Sequence, residues 1–296
     1  MELIQLLGSR NKSDFAIYLG HTIAALGYRV LIADATNNSE YLHSYIQIED
    51  NEHLYELQDV EILINTKNIQ ECVENLSNSN EALENFDYVI VDANDSSSIV
   101  NDWPKFQHVF YISDNTRSNI TQDIDILNDY VDSTGKTILQ RIHFESAYKI
   151  PNDYIDLLIN NRVEFKLVED PLEYDDQEHK LRNYMQHESS IPYAKLPKDY
   201  KRLLKAIVTE LLNIGNKDFE ASMRRGPLRM LFGRFKSKEQ VTKRNEFTSE
   251  EDEVSQDGRT QPRLVLNNVS QGITTESNKS GDKMTGSEKT KEVVGG

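Results

Sequence analysis

A strand-like run, Leu3–Leu7, is followed by Gly8-Ser9-Arg10-Asn11-Lys12-Ser13 and then by a helix-length segment ending at Leu26. These residue types in this order suit phosphate chemistry. Backbone N–H groups of a glycine-containing turn at a helix start cradle anions. A lysine there reaches the outer phosphate oxygens, and a serine hydroxyl can ligate Mg²⁺. Gly8, Ser9, Arg10, Asn11, Lys12 and Ser13 are therefore candidate nucleotide-binding residues. Asp34 and Asp92 close two later apolar runs and join Ser13 as candidate Mg²⁺ ligands, directly or through water. Each feature has a plainer alternative: a Lys-Ser pair also opens solvated helices, and strand-end aspartates cap loops.

Residues so placed need elements to hold them. Short apolar runs occur at Leu3–Leu7, Arg29–Asp34, Glu61–Asn65, Tyr88–Asp92, His108–Ile112 and Thr137–Ile142. Several are apolar throughout, as expected of strands covered on both faces. Helix-length segments alternate with them: Ser13–Leu26, Asn68–Asn85 and Asn119–Val131. Gly27 is placed to end the first of these. The alternation predicts βαβ units and a mostly parallel sheet with helices on both faces. Further on, Asn152–Asn160 reads as a helix, Glu164–Val168 as a strand and Gln177–Met185 as a helix. Tyr200–Leu212 reads as a closing helix, with Leu203, Leu204, Ile207, Val208, Leu211 and Leu212 as its apolar stripe.

The rest of the chain differs in kind. Residues 1–213 hold 18 basic and 36 acidic residues, whereas 214–296 hold 15 and 13, within a chain of net charge −16. Residues 245–296 are rich in Ser, Thr, Gly, Glu and Lys, too polar to offset chain entropy by burial, and read as a disordered tail. The expected organisation is an α/β domain over 1–213, a basic amphipathic segment over 214–244 and the tail over 245–296. Several classes are disfavoured. No apolar run approaches the length of a spanning helix, and the first residues do not read as a signal peptide. Cys72 is the sole cysteine, so an internal disulfide or a thiolate metal cluster is excluded. The seven histidines show no zinc spacing. An acidic domain repels phosphate backbones, so nucleic acid is an unlikely partner. The expected location is cytoplasmic.

Within residues 1–213 the chain resembles the MinD/ParA family of P-loop ATPases with a deviant Walker A motif, K-G-G-x-G-K-[ST]. Lys12-Ser13 match its end, Gly27-Tyr28-Arg29-Val30-Leu31-Ile32-Ala33-Asp34 match its second strand, and Phe86-Asp87-Tyr88-Val89-Ile90-Val91-Asp92 match its Walker B strand. The resemblance implies a three-layer P-loop NTPase-like fold, ATP and Mg²⁺ as cofactors, and a homodimer. It also implies what is missing. Leu7 stands where the family has the lysine that reaches the partner's phosphates. Ser9 and Asn11 replace two loop glycines, and Thr36 replaces the second aspartate of D-x-D, which positions the attacking water. Phosphoryl transfer rests on positioning and charge neutralisation, so these losses predict weak or absent hydrolysis.

Residues 223–244 carry eight Lys/Arg and one Glu. Leu228, Leu231, Phe232 and Phe235 fall at i, i+3, i+4 and i+7, one face of a helix, with Arg224, Arg225, Arg229, Arg234 and Lys236 beside or before it. Leu/Phe flanked by Arg/Lys is the composition of an interfacial helix. Leu228–Gly233 is also similar to the membrane-targeting helix of MinD proteins. The segment's expected partner is an anionic membrane surface, or a protein of a membrane machine; docking on the chain's own domain is the alternative.

Two readings follow. In one, the chain is a degenerate family member, a membrane-associated organiser or scaffold like the family's pilus-assembly relatives, peripheral at the inner face of the cell membrane. In the other, it is an active MinD-like ATPase. Nucleotide-driven dimerisation would then control membrane binding and the placement of a division, flagellar, pilus or secretion apparatus.

Overall fold

The structure is a computed structural model describing residues 1–45, 53–95, 103–135, 137–144, 148, 150–151, 153–168, 171–173 and 175–224. The tail over 245–296 and most of the basic segment, including Arg225, Leu228, Arg229, Leu231, Phe232, Arg234, Phe235 and Lys236, lie outside the described residues.

Eight strands form one sheet. They are β1 (Glu2–Leu7), β2 (Val30–Asp34), β3 (Leu54–Leu57), β4 (Val60–Leu63), β5 (Tyr88–Ala93), β6 (His108–Asp114), β7 (Thr137–Phe144) and β8 (Val163–Leu167). Their spatial order is β3-β4-β2-β5-β1-β6-β7-β8. All neighbours pair in parallel except β3 with β4. The antiparallel edge strand was not expected. Leu54–Leu57 is only half-buried and lacks a continuous apolar signal, and the hairpin turns on Gln58 with φ +56°.

The described helices are α1 (Ser13–Ala25), α2 (Glu40–Tyr45), α3 (Ile69–Asn78), α4 (Arg117–Thr134), α5 (Tyr154–Leu158), α6 (Asp176–Glu188), α7 (Lys198–Leu211) and α8 (residues 216–224). Gly27 follows α1 with φ +101°, donating its N–H to the Ala24 carbonyl, as a helix-ending glycine should. The expected helix Asn68–Asn85 is shorter. Ser77-Asn78-Ser79-Asn80 favour local turns over helix, Asn80 takes a left-handed φ of +57°, and a 3₁₀ turn covers Leu83–Asn85. α4 begins two residues before its expected start and runs to Gly135, whose φ of +81° ends it.

The layers follow from strand alternation. Ile4, Leu6, Ile32, Ile90, Phe110, Ile112 and Ile142 face one side and pack with residues of α1 and α7. Phe219 of α8 joins this core, so folded chain continues past Asn213. On the opposite face two separate apolar clusters form. One joins Leu3, Leu31, Val89 and Val91 to Cys72 and Leu76 of α3. The other joins Leu7, Tyr111 and Leu139 to Leu127, Tyr130 and Val131 of α4. A three-layer α/β architecture results, with β1 central. The chain leaves β1 toward β2 on one side and later adds β6 on the other. The C-terminal ends of β1, β2, β5 and β6 thus meet at the switch point where such folds place ligands.

Candidate functional site

β1 ends at Leu7 and delivers the loop Gly8–Lys12 onto the first turn of α1. Gly8 has φ +126°, and a Cβ there would lie 2.3 Å from the Ile112 carbonyl oxygen. The kept glycine is thus required by β6 as well as by its own backbone. The adjacent strand ends supply the carboxylates: Asp34 and Asp92 are register partners on β2 and β5. The structure therefore brings together the loop and both aspartates, as the sequence predicts.

Within the chain these residues contact one another and their neighbours. Lys12 is fully buried, and its Nζ lies 2.7 Å from Asp92 Oδ1 while donating to the Gly8 carbonyl at 2.7 Å. Asp92 is also fully buried and accepts at Oδ2 from the Tyr41 hydroxyl at 2.7 Å. Ser13 donates from its hydroxyl to Asn11 Oδ1 at 2.8 Å and lies 3.3 Å from the Tyr45 hydroxyl. Asn11 Oδ1 also accepts from the Ser13 N–H at 3.2 Å. Asn11 thereby works as a local clamp on the helix start. The Ser9 N–H, which a phosphate would need, donates to Asp123 Oδ1 at 2.7 Å, and Tyr111 donates to Asp123 Oδ2 at 2.7 Å. Burial raises the Asp123 carboxyl above the usual range.

Thr36 ties the end of β2 to the start of α2. Both its N–H, at 3.0 Å, and its hydroxyl, at 2.5 Å, donate to Asp34 Oδ1, and its oxygen accepts from Glu40 N at the start of α2 at 3.3 Å. Among the described residues Asp34 Oδ2 has no close hydrogen-bond donor. Burial, and then the charge of Asp92, push the Asp34 carboxyl up to about 6 against the opposing Thr36 hydrogen bonds. Glu40 is likewise raised by burial and by Asp92. Three buried acids, Asp34, Glu40 and Asp92, thus gather at the strand ends with Lys12 against Asp92, and α2 contributes Tyr41 and Tyr45 beside them.

Arg10 points away from this centre. Its guanidinium stacks 3.6 Å above the Phe144 ring, donates to Glu178 at 3.2 Å and lies 3.9 Å from Asp114. Beside it Arg182 of α6 donates to Asp14 Oδ2 at 3.0 Å, so α6 is tied to the first turn of α1. Burial, with Asp14 adding to it, raises Glu178 to about 7. Arg224, the one basic-segment candidate placed, is exposed on α8.

For a Mg²⁺–nucleotide the loop has the right lysine and serine at a helix start. As arranged, however, Lys12 is neutralised by Asp92, the Ser13 hydroxyl is taken by Asn11, and Asp123 holds a loop N–H. Asp92 faces an ammonium and a phenol. Binding of a Mg²⁺–nucleotide at this loop would displace these contacts. Among the described residues no group of three or more His, Cys, Asp or Glu could hold a metal ion.

Sequence reading missed Tyr41, Tyr45, Asp123, Tyr111 and the Asp14–Arg182 pair. A faint signal existed for the tyrosines: Tyr41 and Tyr45 stand at i and i+4 just after Asp34 and Thr36. None existed for Asp123, which lies 114 residues from Ser9.

No protein-family model matches the chain, and no curated protein matches it. Among solved structures it is similar to the MinD cell division protein of Aquifex aeolicus, at 14% identity over 73% of this chain and 98% of that one, with a TM-score of 0.46. It is similar to a ParA family ATPase of Chlorobium tepidum, at 12% identity over 70% and 97%, with a TM-score of 0.47. It is similar also to a plasmid partition protein of Borrelia burgdorferi bound to AMPPNP, at 12% identity over 72% and 98%, with a TM-score of 0.46. The likeness is one of chain path, and the functional reading rests on the side chains described above.

Proposed function

We propose that this chain is a degenerate MinD/ParA-like protein acting as a membrane-associated scaffold or spatial organiser, with ATP hydrolysis weak or absent. The observation that carries the reading is the buried Lys12–Asp92 ion pair beneath Tyr41. The lysine that would neutralise a nucleotide's phosphates is already neutralised by the protein. Leu7 and Thr36 stand where the resembled family has its second lysine and its water-positioning carboxylate. A domain whose phosphate loop is satisfied internally has no need of nucleotide to hold its shape.

Membrane contact is assigned to residues 223–244, with their eight Lys/Arg and one Glu. Among the described residues no helix is long and apolar enough to cross a membrane. The attachment proposed is therefore peripheral. Burying a Leu or Phe is worth roughly 1.5–3 kcal/mol, and ordering the segment costs chain entropy of comparable size. Attraction of each basic residue to anionic lipid, about 1 kcal/mol near the surface, decides the outcome.

The test is co-sedimentation of the full chain with anionic and with neutral vesicles, with and without ATP–Mg²⁺, beside a calorimetric titration with ATP–Mg²⁺ and ADP. The expected result is pelleting with anionic vesicles regardless of nucleotide, weakened by salt and lost in Phe232→Asp. Pelleting that requires ATP, or family-level turnover abolished by Lys12→Ala, would establish the active-ATPase reading instead. Pelleting with neither vesicle would assign the segment to a protein partner.

A further inference from the structure

Two adjoining cavities of about 220 and 200 Å³ form one groove where α6 and α7 begin, beside the ends of β6 and β7. They share Leu172, Glu173, Asp175 and Glu178. The first adds Asp114 and the second Asp199, so five carboxylates line the groove. Its basic groups are Arg10, Arg182 and the imidazole of His179. Arg10 serves Glu178 at 3.2 Å and lies 3.9 Å from Asp114, while Arg182 is taken by a sixth acid, Asp14. Asp199 pairs with the exposed Arg202 at 3.0 Å, and Glu173 and Asp175 have no basic partner among the described residues. The groove is short of positive charge.

The path of the chain brings positive charge to that place. α7 starts at the groove, with Pro197, Asp199 and Tyr200 in the lining, and runs away from it to Leu211. α8 follows after four residues, and Glu220 in its middle accepts from Lys205 in the middle of α7 at 2.8 Å. Two helices joined by a short turn and paired near their middles run in opposite directions. α8 therefore leads back toward the groove and ends at the exposed Arg224, one turn beyond Glu220. The next residues are the most basic of the chain: 223–244 carry eight Lys/Arg and one Glu. Five residues of extended chain reach about 17 Å, whereas two turns of helix measure about 11 Å. Arg225 and Arg229 are thus tethered within reach of the uncompensated acids.

We propose that the groove docks the basic segment of its own chain, with Arg225 and Arg229 beside Glu173 and Asp199, and that docking competes with the membrane. The competition rests on the membrane reading given above; the docking does not. Arginine suits the place, because its planar guanidinium pairs with carboxylates through two parallel hydrogen bonds. The tether keeps the local concentration of the segment high, so weak pairs suffice. Arginines held in the groove are withdrawn from anionic lipid, and their attraction to lipid is what decides membrane binding. The groove thereby sets a threshold that the membrane's charge has to exceed.

Trypsin cuts after arginine, so it reads the docked residues directly in the full-length chain without lipid. Early cleavage after Arg225 and Arg229, followed by mass spectrometry, should be about fivefold slower in the wild type than in Glu173→Gln/Asp199→Asn, the effect of losing two exposed ion pairs. Both replaced residues are exposed, so the fold is kept. Glu84→Gln/Asp125→Asn removes the same charge from exposed sites on the opposite face of the sheet and should be cut at the wild-type rate. With anionic vesicles the groove variant should bind about threefold more tightly than the wild type, and the control variant should not. Equal cleavage in wild type and groove variant would overturn the proposal, as would a control variant that matches the groove variant. Protection lost on roughly hundredfold dilution would overturn it too, since the groove would then hold a second copy. Protection relieved in the groove variant, with no form binding vesicles, would uphold the docking and overturn the membrane reading alone.

Discussion

Replacing Lys12 by methionine separates an internally closed loop from one waiting for a nucleotide. In a loop whose lysine faces solvent or phosphate, the change removes ligand affinity and leaves stability nearly unchanged. Here it strands Asp92, fully buried, beside Asp34. The gross attraction between unit charges 2.7 Å apart is about 6 kcal/mol at an effective dielectric constant of about 20. Much of that is offset by desolvation of both groups, yet removing one partner of a buried pair still costs about 3–5 kcal/mol. An independent ceiling comes from protonation. The variant can relieve the stranded charge by binding a proton, which at pH 7.5 costs about 5 kcal/mol against an ordinary aspartate. The folded variant then holds a proton that the unfolded chain has released, so its stability falls as pH rises above the ordinary aspartate range. The loss should be about 3–5 kcal/mol at pH 7.5 and shrink to about 2 kcal/mol at pH 5.5. Urea unfolding followed by circular dichroism at the two pH values reads it. Lys12→Met/Asp92→Asn should recover stability to within about 1–2 kcal/mol of the wild type, since the double change removes both charges. A Lys12→Met protein within about 0.5 kcal/mol of wild type, or a loss independent of pH, would refute the buried-pair argument.

Other expectations follow from the same geometry. Asp34→Asn keeps an acceptor for Thr36 and removes a carboxyl whose folded pKa is raised to about 6. The wild type therefore loses stability as pH rises from the ordinary aspartate value toward 6, and the variant should not. Thermal melts at pH 7.5 should show it stabilised by roughly 1–3 kcal/mol, and a destabilised variant would mean the charge is needed. Gly8→Ala should cost about 2 kcal/mol or more in denaturant unfolding, because the Ile112 carbonyl 2.3 Å from the new Cβ is backbone and cannot swing away. Arg182→Met should cost about 2–3 kcal/mol, less than for a fully buried pair because the guanidinium is 21% exposed, and Asp14→Asn in the same chain should restore most of it. Phe232→Asp should leave the unfolding curve of the domain unchanged while abolishing recovery with anionic vesicles.

Much of the architecture is legible along the chain because its causes are local. Val30–Ala33 and Tyr88–Val91 are apolar through their length, as strands covered on both faces are, and their alternation with helix-length segments implies parallel pairing. Gly27 ends α1 for reasons contained within a few residues. The loop Gly8–Ser13 and the strand ends Asp34 and Asp92 could likewise be brought to one place from order alone, since successive parallel strands present their C-terminal ends on the same side. The β3 edge strand and the break at Asn80 escaped, the first because a half-buried edge carries little apolar pattern.

The contacts of the site were decided by the tertiary structure. Whether a lysine after a glycine turn waits for phosphate or is neutralised depends on what stands opposite it. Here that is Asp92, with Tyr41 closing over it from a helix the apolar pattern did not mark. Asp123 reaches the Ser9 N–H from 114 residues away, and no periodicity encodes such a meeting. Gln5 is the same case reversed. Gln5 stands in sequence as a polar residue within the apolar strand β1, but that its amide is fully buried with no hydrogen-bond partner among the described residues is decided by the strands and helices packed around it. Local sequence determines which groups a strand or turn presents. Their charge state, hydrogen-bond partners and solvation are set by residues distant in sequence, because those energies depend on separations of a few ångströms that only the assembled fold defines.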